Sequence, residues 1–289
     1  MDTFDNHRPR LAGIAYRMLG SRAEAEDAVQ DAWLRWHESA PDGLRSAEAW
    51  LVTTVTRLSL DRLRARKAEA RHYIGPWLPE PLEAHDPITP ESRLELADNL
   101  SLAFVAVLER LTPDERAAFL LREVFDYDYP EVAQVLERSE ASCRQLVHRA
   151  KARVSGDRPR FRVDRDAHLR VLRAFMAAAQ SGNREDIERI VTEDARMTAD
   201  GGGKAVTTTR TLQGASRIGW LYYAIARNPD FDLEWREGVV NHEPAIFRYM
   251  DGELHSVMTI ETDGERVLAI YAVVNPDKLG AFRAHRGAR

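Results

Sequence analysis

The chain predicts a multidomain protein, two all-α helical domains followed by an α+β unit, and three observations predict it. Apolar residues recur at helical spacing through most of the chain up to Val154. A proline-rich break, His72-Tyr-Ile-Gly-Pro-Trp-Leu-Pro-Glu-Pro-Leu82, interrupts that pattern. After Ala245, short apolar runs are separated by Asp-Gly turns. At 289 residues there is room for two or three domains, and 44% hydrophobic content supports real cores. The formal net charge of −5 does not draw the chain onto nucleic acid, so such contact must come from local patches. The single cysteine, Cys143, excludes a disulfide framework, and the scattered histidines give no metal spacing. No metal or cofactor is expected. The acidic start lacks an apolar leader and no run is long enough to span a bilayer, so a cytoplasmic protein is expected.

The strongest local pattern is Asp128 to Val154, a helix-turn-helix. Asp128 caps a first helix, Glu131 closes a capping box and Pro130 falls in the first turn. Val132, Ala133 and Leu136 make its inner stripe. Ser139 caps the second helix, which buries Cys143, Leu146, Val147, Ala150 and Val154. Ser142, Arg144, Gln145, His148, Arg149 and Lys151 take the other face. Cations suit phosphates there, and Arg and Gln suit base edges in a major groove.

Upstream, Arg10–Leu19 and Ala23–His37 carry helical periodicity. In the second, Ala25, Ala28, Val29, Ala32 and Trp36 face inward, leaving Asp27, Gln30, Asp31 and Leu34 as an acidic ridge with an exposed leucine, either a docking surface or a solvated face. Pro41-Asp-Gly43 breaks the chain. A third helix, Ala47–Arg71, ends in a basic run containing Arg57, Arg62, Arg64, Arg66 and Lys67. Thr53, Thr54, Thr56 and Trp50 precede it, a combination that suits strand-separated nucleic acid.

Here the chain resembles a known family. Glu26-Asp-Ala-Val-Gln-Asp-Ala-Trp-Leu34, Ala49-Trp-Leu51 and Leu60-Asp-Arg-Leu-Arg64 are similar to region two of bacterial sigma factors. The helix-turn-helix, preceded by Leu108-Glu-Arg-Leu-Thr-Pro-Asp-Glu-Arg-Ala-Ala-Phe119, is similar to region four. The resemblance implies a sigma factor of the extracytoplasmic-function class, partnered by RNA polymerase core and promoter DNA. It implies that Asp27, Gln30, Asp31 and Leu34 grip the polymerase clamp helices. The Ser39–Glu48 loop and the helix behind it would capture a flipped minus-ten base, and region four would read the minus-thirty-five element. Arg57 stands where many members have Asn. The expected divisions are region two at 1–71, a linker at 72–93, region four at 94–156 and a last domain at 165–280.

The linker is stiffened by Pro76, Pro79 and Pro81, while Trp77 and Leu78 are too apolar for water, so it docks on another surface or straps its own region two. The last third predicts a helix through Leu169, Leu172, Phe175, Met176 and Ala179, a short helix from Glu185 to Val191, and helix near Ala215–Arg227. Strands follow at Ala245–Met250, Leu254–Glu261 and Arg266–Val274. That order resembles a SnoaL-like cone, and the whole chain resembles the SigJ-type subgroup with such a fused extension. The resemblance implies a built-in regulator with no separate anti-sigma factor required. The segment Trp77, Leu78, Pro79, Glu80, Pro81 is expected to pack on the Asp200, Gly201, Gly202, Gly203, Lys204 turn and on Asn275, Pro276, Asp277 and Lys278. Relatives of the cone are enzymes, which makes Asp200, His242, Tyr249 and His255 worth locating, but no pairing in sequence supports catalysis and no catalytic residue is assigned. The alternative is a DNA-binding protein whose last domain is a small-molecule enzyme or ligand sensor.

Overall fold

A computed structural model describes residues 3–39, 44, 46–69, 73–83, 100–155 and 163–284. The expected break at Pro41–Gly43, residue Arg71, the side chain of Lys67, the acidic stretch after Glu83 and the Gly156–Pro159 boundary lie outside these described residues. The described residues fall into two compact units.

The described residues of the first unit are helical, and it takes in most of the two predicted helical stretches, with residues 101–103 grouped in the second unit. Helices α1 (Thr3–Leu19), α2 (Arg22–Ser39) and α3 (Ala47–Glu69) pack together. Their core is built from Leu11, Ile14, Tyr16, Leu19, Ala25, Ala28, Ala32, Leu51 and Val55. Helix α4 (Leu102–Leu108) precedes α5 (Pro113–Phe119), which opens on a Thr112–Glu115 capping box and runs on as a π turn, Leu120–Val124. Helices α6 (Tyr129–Leu136) and α7 (Glu140–Ser155) form the helix-turn-helix.

The predicted Asp128–Glu131 capping box is present, and Ser139 Oγ accepts from Ser142 N at 3.3 Å. The buried face of α7 is the predicted one, but α6 buries Val132 and Val135, whereas Ala133 and Leu136 are only half-buried. Glu137 adopts a left-handed φ of 54° and ends α6 at Leu136.

The second unit is α+β. Helices α8 (Arg165–Ser181), α9 (Arg184–Ile190) and α10 (Ala215–Ala226) share a core with a six-stranded sheet. Its strands are β1 (Val191–Asp200), β2 (Leu212–Gln213), β3 (Leu233–Val240), β4 (Glu243–Met250), β5 (Glu253–Thr262) and β6 (Val267–Val273), in the order β2-β1-β6-β5-β4-β3. Only β1 and β6 run parallel. A 3₁₀ turn, Pro276–Lys278, and α11 (Gly280–Ala284) close the unit. The Asp251-Gly252 hairpin takes φ values of 51° and 80°, as its sequence predicts. Three strands were not predicted, β1, β2 and β3. In β1 the inward set is Ala195, Met197 and Ala199, two of the three small, with Arg196 and Thr198 between them, so its apolar signal is weak. The β3–β4 hairpin turns on Asn241-His242, both left-handed at 52° and 65°, without a glycine to mark it.

Candidate functional site

Three surfaces carry the predicted chemistry. On α2, Asp27, Gln30 and Leu34 are exposed, with Leu34 41% accessible. Asp31 is only half-exposed, because Arg62 reaches its carboxylate at 2.6 Å. Of the predicted inner face, Ala25, Ala28, Val29 and Ala32 are buried, whereas Trp36 is only half-buried.

On α7, Arg144, Gln145, His148, Arg149 and Lys151 are exposed, and Ser142 is half-buried. Several of the cations are already held. Arg144 stacks over Tyr129 at 4.2 Å and meets Glu140 at 3.2 Å. Lys151 meets Glu123 at 2.7 Å. Arg149 (3.0 Å) and Arg153 (2.6 Å) converge on Glu115, which is 2% exposed. Burial pushes the Glu115 carboxyl up, but Arg149, the Thr112 backbone and hydroxyl, and Arg153 outweigh it and hold it below its ordinary value.

The basic run of α3 is placed differently from the simple nucleic-acid expectation. Arg57 donates to the carbonyls of Gln134 (2.9 Å) and Val135 (3.0 Å) and pairs with Glu137 at 3.0 Å. It thereby satisfies the carbonyl end of α6, where the helix has no internal donors left. Arg64 pairs with Asp114 at 2.9 Å, and Arg66 reaches Leu19 O at 2.7 Å and Glu109 at 3.3 Å. Arg116, 2% exposed, ties α5 to Met18 O at 2.6 Å and to Glu109 at 2.5 Å. Three of the predicted DNA-contacting arginines of α3, Arg57, Arg64 and Arg66, thus tie α3 to the helices after Leu100 within this unit, whereas Arg62 stays on Asp31 of α2. Thr54 and Thr56 are corrected too. Thr54 is buried and back-bonds to Trp50 O, and Thr56 is fully buried, so among the three threonines only Thr53 is accessible.

The third surface is the linker seat, inside the α+β unit. Asp200, fully buried at the end of β1, accepts from Tyr73 Oη (2.5 Å), Leu78 N (2.8 Å) and Lys278 Nζ (2.8 Å). Lys278 also donates to Leu78 O and sits 3.9 Å from the Trp77 ring centre. Asn275 Nδ2 donates to Tyr73 Oη at 3.1 Å. Burial, and then the Asp200 carboxylate beside it, pushes the Tyr73 phenol well above its ordinary value. Leu78, Pro79, Pro81 and Leu82 are buried, and Trp77 is half-buried.

The glycine turn is shaped for this seat. Gly202 has φ 58°, and a Cβ there would fall 2.3 Å from Asn275 Nδ2. Gly203, at φ 72°, lies under Ile74. Lys204 pairs with Asp277 at 2.5 Å on the surface. Asn241 belongs to the seat and was not foreseen. Its Oδ1 accepts from Leu82 N at 2.9 Å, its N donates to Leu82 O at 2.9 Å, and Glu83 bridges to Val240. The linker therefore covers one end of β3, the edge strand of the sheet. The only advance signal was an Asn able to adopt a left-handed turn.

The residues that suggested catalysis are dispersed. Asp200 is saturated by the linker seat, His242 lies in a hairpin turn, Tyr249 stacks under Arg236 at 4.6 Å, and His255 meets Arg248 at 2.9 Å. Among the described residues no group of three His, Cys, Asp or Glu side chains could hold a metal ion, and no helix is long and apolar enough to cross a membrane.

Comparison with known proteins agrees with this geometry. The Sigma-70 region 2 family matches residues 3–69, and the Sigma-70 region 4 family matches residues 101–154. The chain is 35% identical to the ECF RNA polymerase sigma factor SigJ of Mycobacterium tuberculosis, over 95% of this chain and 91% of that protein. It is 28% identical to the probable ECF RNA polymerase sigma factor SigI of Mycobacterium tuberculosis, over 97% and 95% of the two chains. The crystal structure of Mycobacterium tuberculosis SigJ superposes with a TM-score of 0.75 at 33% identity, covering 96% of this chain and 97% of that one. The chain belongs to the extracytoplasmic-function family of RNA polymerase sigma factors, the non-enzymatic subunits that direct polymerase core to promoters.

Proposed function

We propose that this cytoplasmic sigma factor carries its own regulator, and that the linker seat is the contact through which the α+β unit acts. The observation that carries the reading is the buried Asp200, which gathers Tyr73, Leu78 N and Lys278 around one carboxylate. Regions two and four must reach two promoter elements that lie many base pairs apart, at 3.4 Å of helix axis per base pair along a strand. Residues 73–83 lie in the chain between those regions. Eleven extended residues span roughly 36–40 Å, and docking withdraws that reach. The seat therefore governs how far regions two and four can separate. The Pro-rich backbone loses little entropy on docking, which favours the seated form.

The remaining roles follow from exposure. Asp27, Gln30 and Leu34 form the polymerase clamp-helix contact, with Asp31 held in place by Arg62. Arg144, Gln145, His148 and Arg149 read the minus-thirty-five element, with Ser142 and Lys151 at the phosphates. Arg57, Arg64 and Arg66 become available to minus-ten DNA only when they let go of region four, and Arg62 when it leaves Asp31; Lys67 adds its charge to the same contact.

The test is co-purification with core polymerase and run-off transcription. Asp27→Arg is expected to abolish co-purification with an unchanged circular dichroism spectrum, since Asp27 is exposed. Gln145→Ala is expected to leave co-purification intact and to weaken minus-thirty-five use by about 1–3 kcal/mol. Normal behaviour of both variants would overturn these assignments.

A further inference from the structure

The α+β unit contains a cavity of about 710 Å³ between the sheet and α10, well within the size range of small-ligand sites. Its wall is mostly apolar, with Met197, Leu221, Ile225, Phe231, Met250 and Met258 prominent. Among the described lining residues one, Arg248, carries a formal charge. Arg248 is 6% exposed, and none of the described residues lining the cavity is acidic. Its guanidinium lies 2.9 Å from His255 Nδ1, which must accept because arginine can only donate. The Trp235 ring lies 5.7 Å away. Arg248 Nε has no protein partner among the described residues. Neither does the buried hydroxyl of Ser256, directly across the β4–β5 ladder, nor that of Thr208 on the cavity wall.

The other unit shows what a settled buried arginine looks like in this protein. Arg116 meets a carboxylate and a backbone carbonyl. Among the described residues Arg248 has neither, and burial lowers its pKa from the ordinary arginine value. A buried cation without an anion is costly, which makes the site selective for the ligand that supplies one.

We infer that the cavity binds an amphipathic monocarboxylate, its carboxylate on Arg248 beside the Ser256 and Thr208 hydroxyls and its tail along the methionine-lined wall. Ala205 to Thr208 run on directly from Lys204, and Ala199 precedes Asp200, so the ligand would touch chain that adjoins the linker seat. This regulatory consequence rests on the reading above, whereas the binding itself does not.

Isothermal titration of decanoate and of 1-decanol into the full chain tests it. Decanoate is expected to saturate one site, and Arg248→Met to weaken it roughly tenfold to hundredfold, the usual worth of a charge-assisted bond. Arg248→Lys should keep part of the affinity, and 1-decanol should bind wild type and Arg248→Met alike. Circular dichroism establishes that both variants fold. Equal affinities for decanoate and decanol, an unaffected Arg248→Met, or no saturable decanoate binding would overturn the inference. Any of those results alongside a transcription response to Trp77→Ala would remove the ligand and leave the linker reading standing.

Discussion

Asp200→Ala is expected to release the linker and to cost roughly 3–5 kcal/mol, the loss typical of breaking one side of a buried pair. The alanine removes the acceptor for Tyr73 Oη and Leu78 N at once and leaves Lys278 with the Leu78 carbonyl and the Trp77 and Tyr73 rings. A typical domain has only about 5–15 kcal/mol in total, so the effect is large. Thermal unfolding should show a lower midpoint for the α+β unit. Tryptophan fluorescence should shift to the red as half-buried Trp77 meets water. An unchanged emission maximum would mean that the linker stays seated without Asp200. Asp200→Asn is the milder companion, because an amide oxygen can still accept from Leu78 N while the charge opposite Lys278 is gone.

Arg116→Met is expected to loosen regions two and four by a comparable roughly 3–5 kcal/mol. The methionine keeps most of the volume but abandons Met18 O and Glu109, both partners of a side chain only 2% exposed. Arg66 also reaches Glu109, at 3.3 Å, and softens that loss without replacing the bond to Met18. Limited proteolysis and a denaturant titration read the outcome, and a change under about 1 kcal/mol would show that the arginine is not what binds the two regions. Arginines bridge region two and region four, and Arg57 cannot hold the Gln134 and Val135 carbonyls and a nucleotide together. Such a contact is well suited to exchange. Promoter phosphates and polymerase acids offer the same cations equivalent partners.

Much of this was legible in the sequence where local rules decide. The Asp128–Glu131 box, the buried stripe of α7, the inner face of α2 up to Ala32 and the Asp251-Gly252 turn follow from spacing and backbone preference alone. The linker seat was legible for a different reason. Trp77 and Leu78 on a proline backbone had to be covered, and a triple-glycine turn could let backbone approach. What was hidden depends on partners far apart in the chain. Nothing near Arg57 in sequence reveals that its partners lie at Gln134 and Val135, and a run of arginines looks the same whether it faces DNA or carbonyls. Strands β1 and β3 were hidden because their exposed faces carry charges that mask a thin apolar alternation. Arg248 was unremarkable in sequence, since only the fold shows it buried at a cavity without a carboxylate.

The most direct test is run-off transcription of fragmented genomic DNA by core polymerase, with start sites read by sequencing. Intact chain would be compared with Trp77→Ala, Lys278→Met and the double variant, all of which leave α2, α3 and α7 untouched. Because Lys278 sits over the Trp77 ring, the two side chains act as one contact. Both single variants should change transcript yield in the same direction and admit a wider range of spacing between the two promoter elements. The double variant should go no further than the stronger single one. Additive effects, or yields and spacings identical to those of the intact chain, would contradict control through the linker seat.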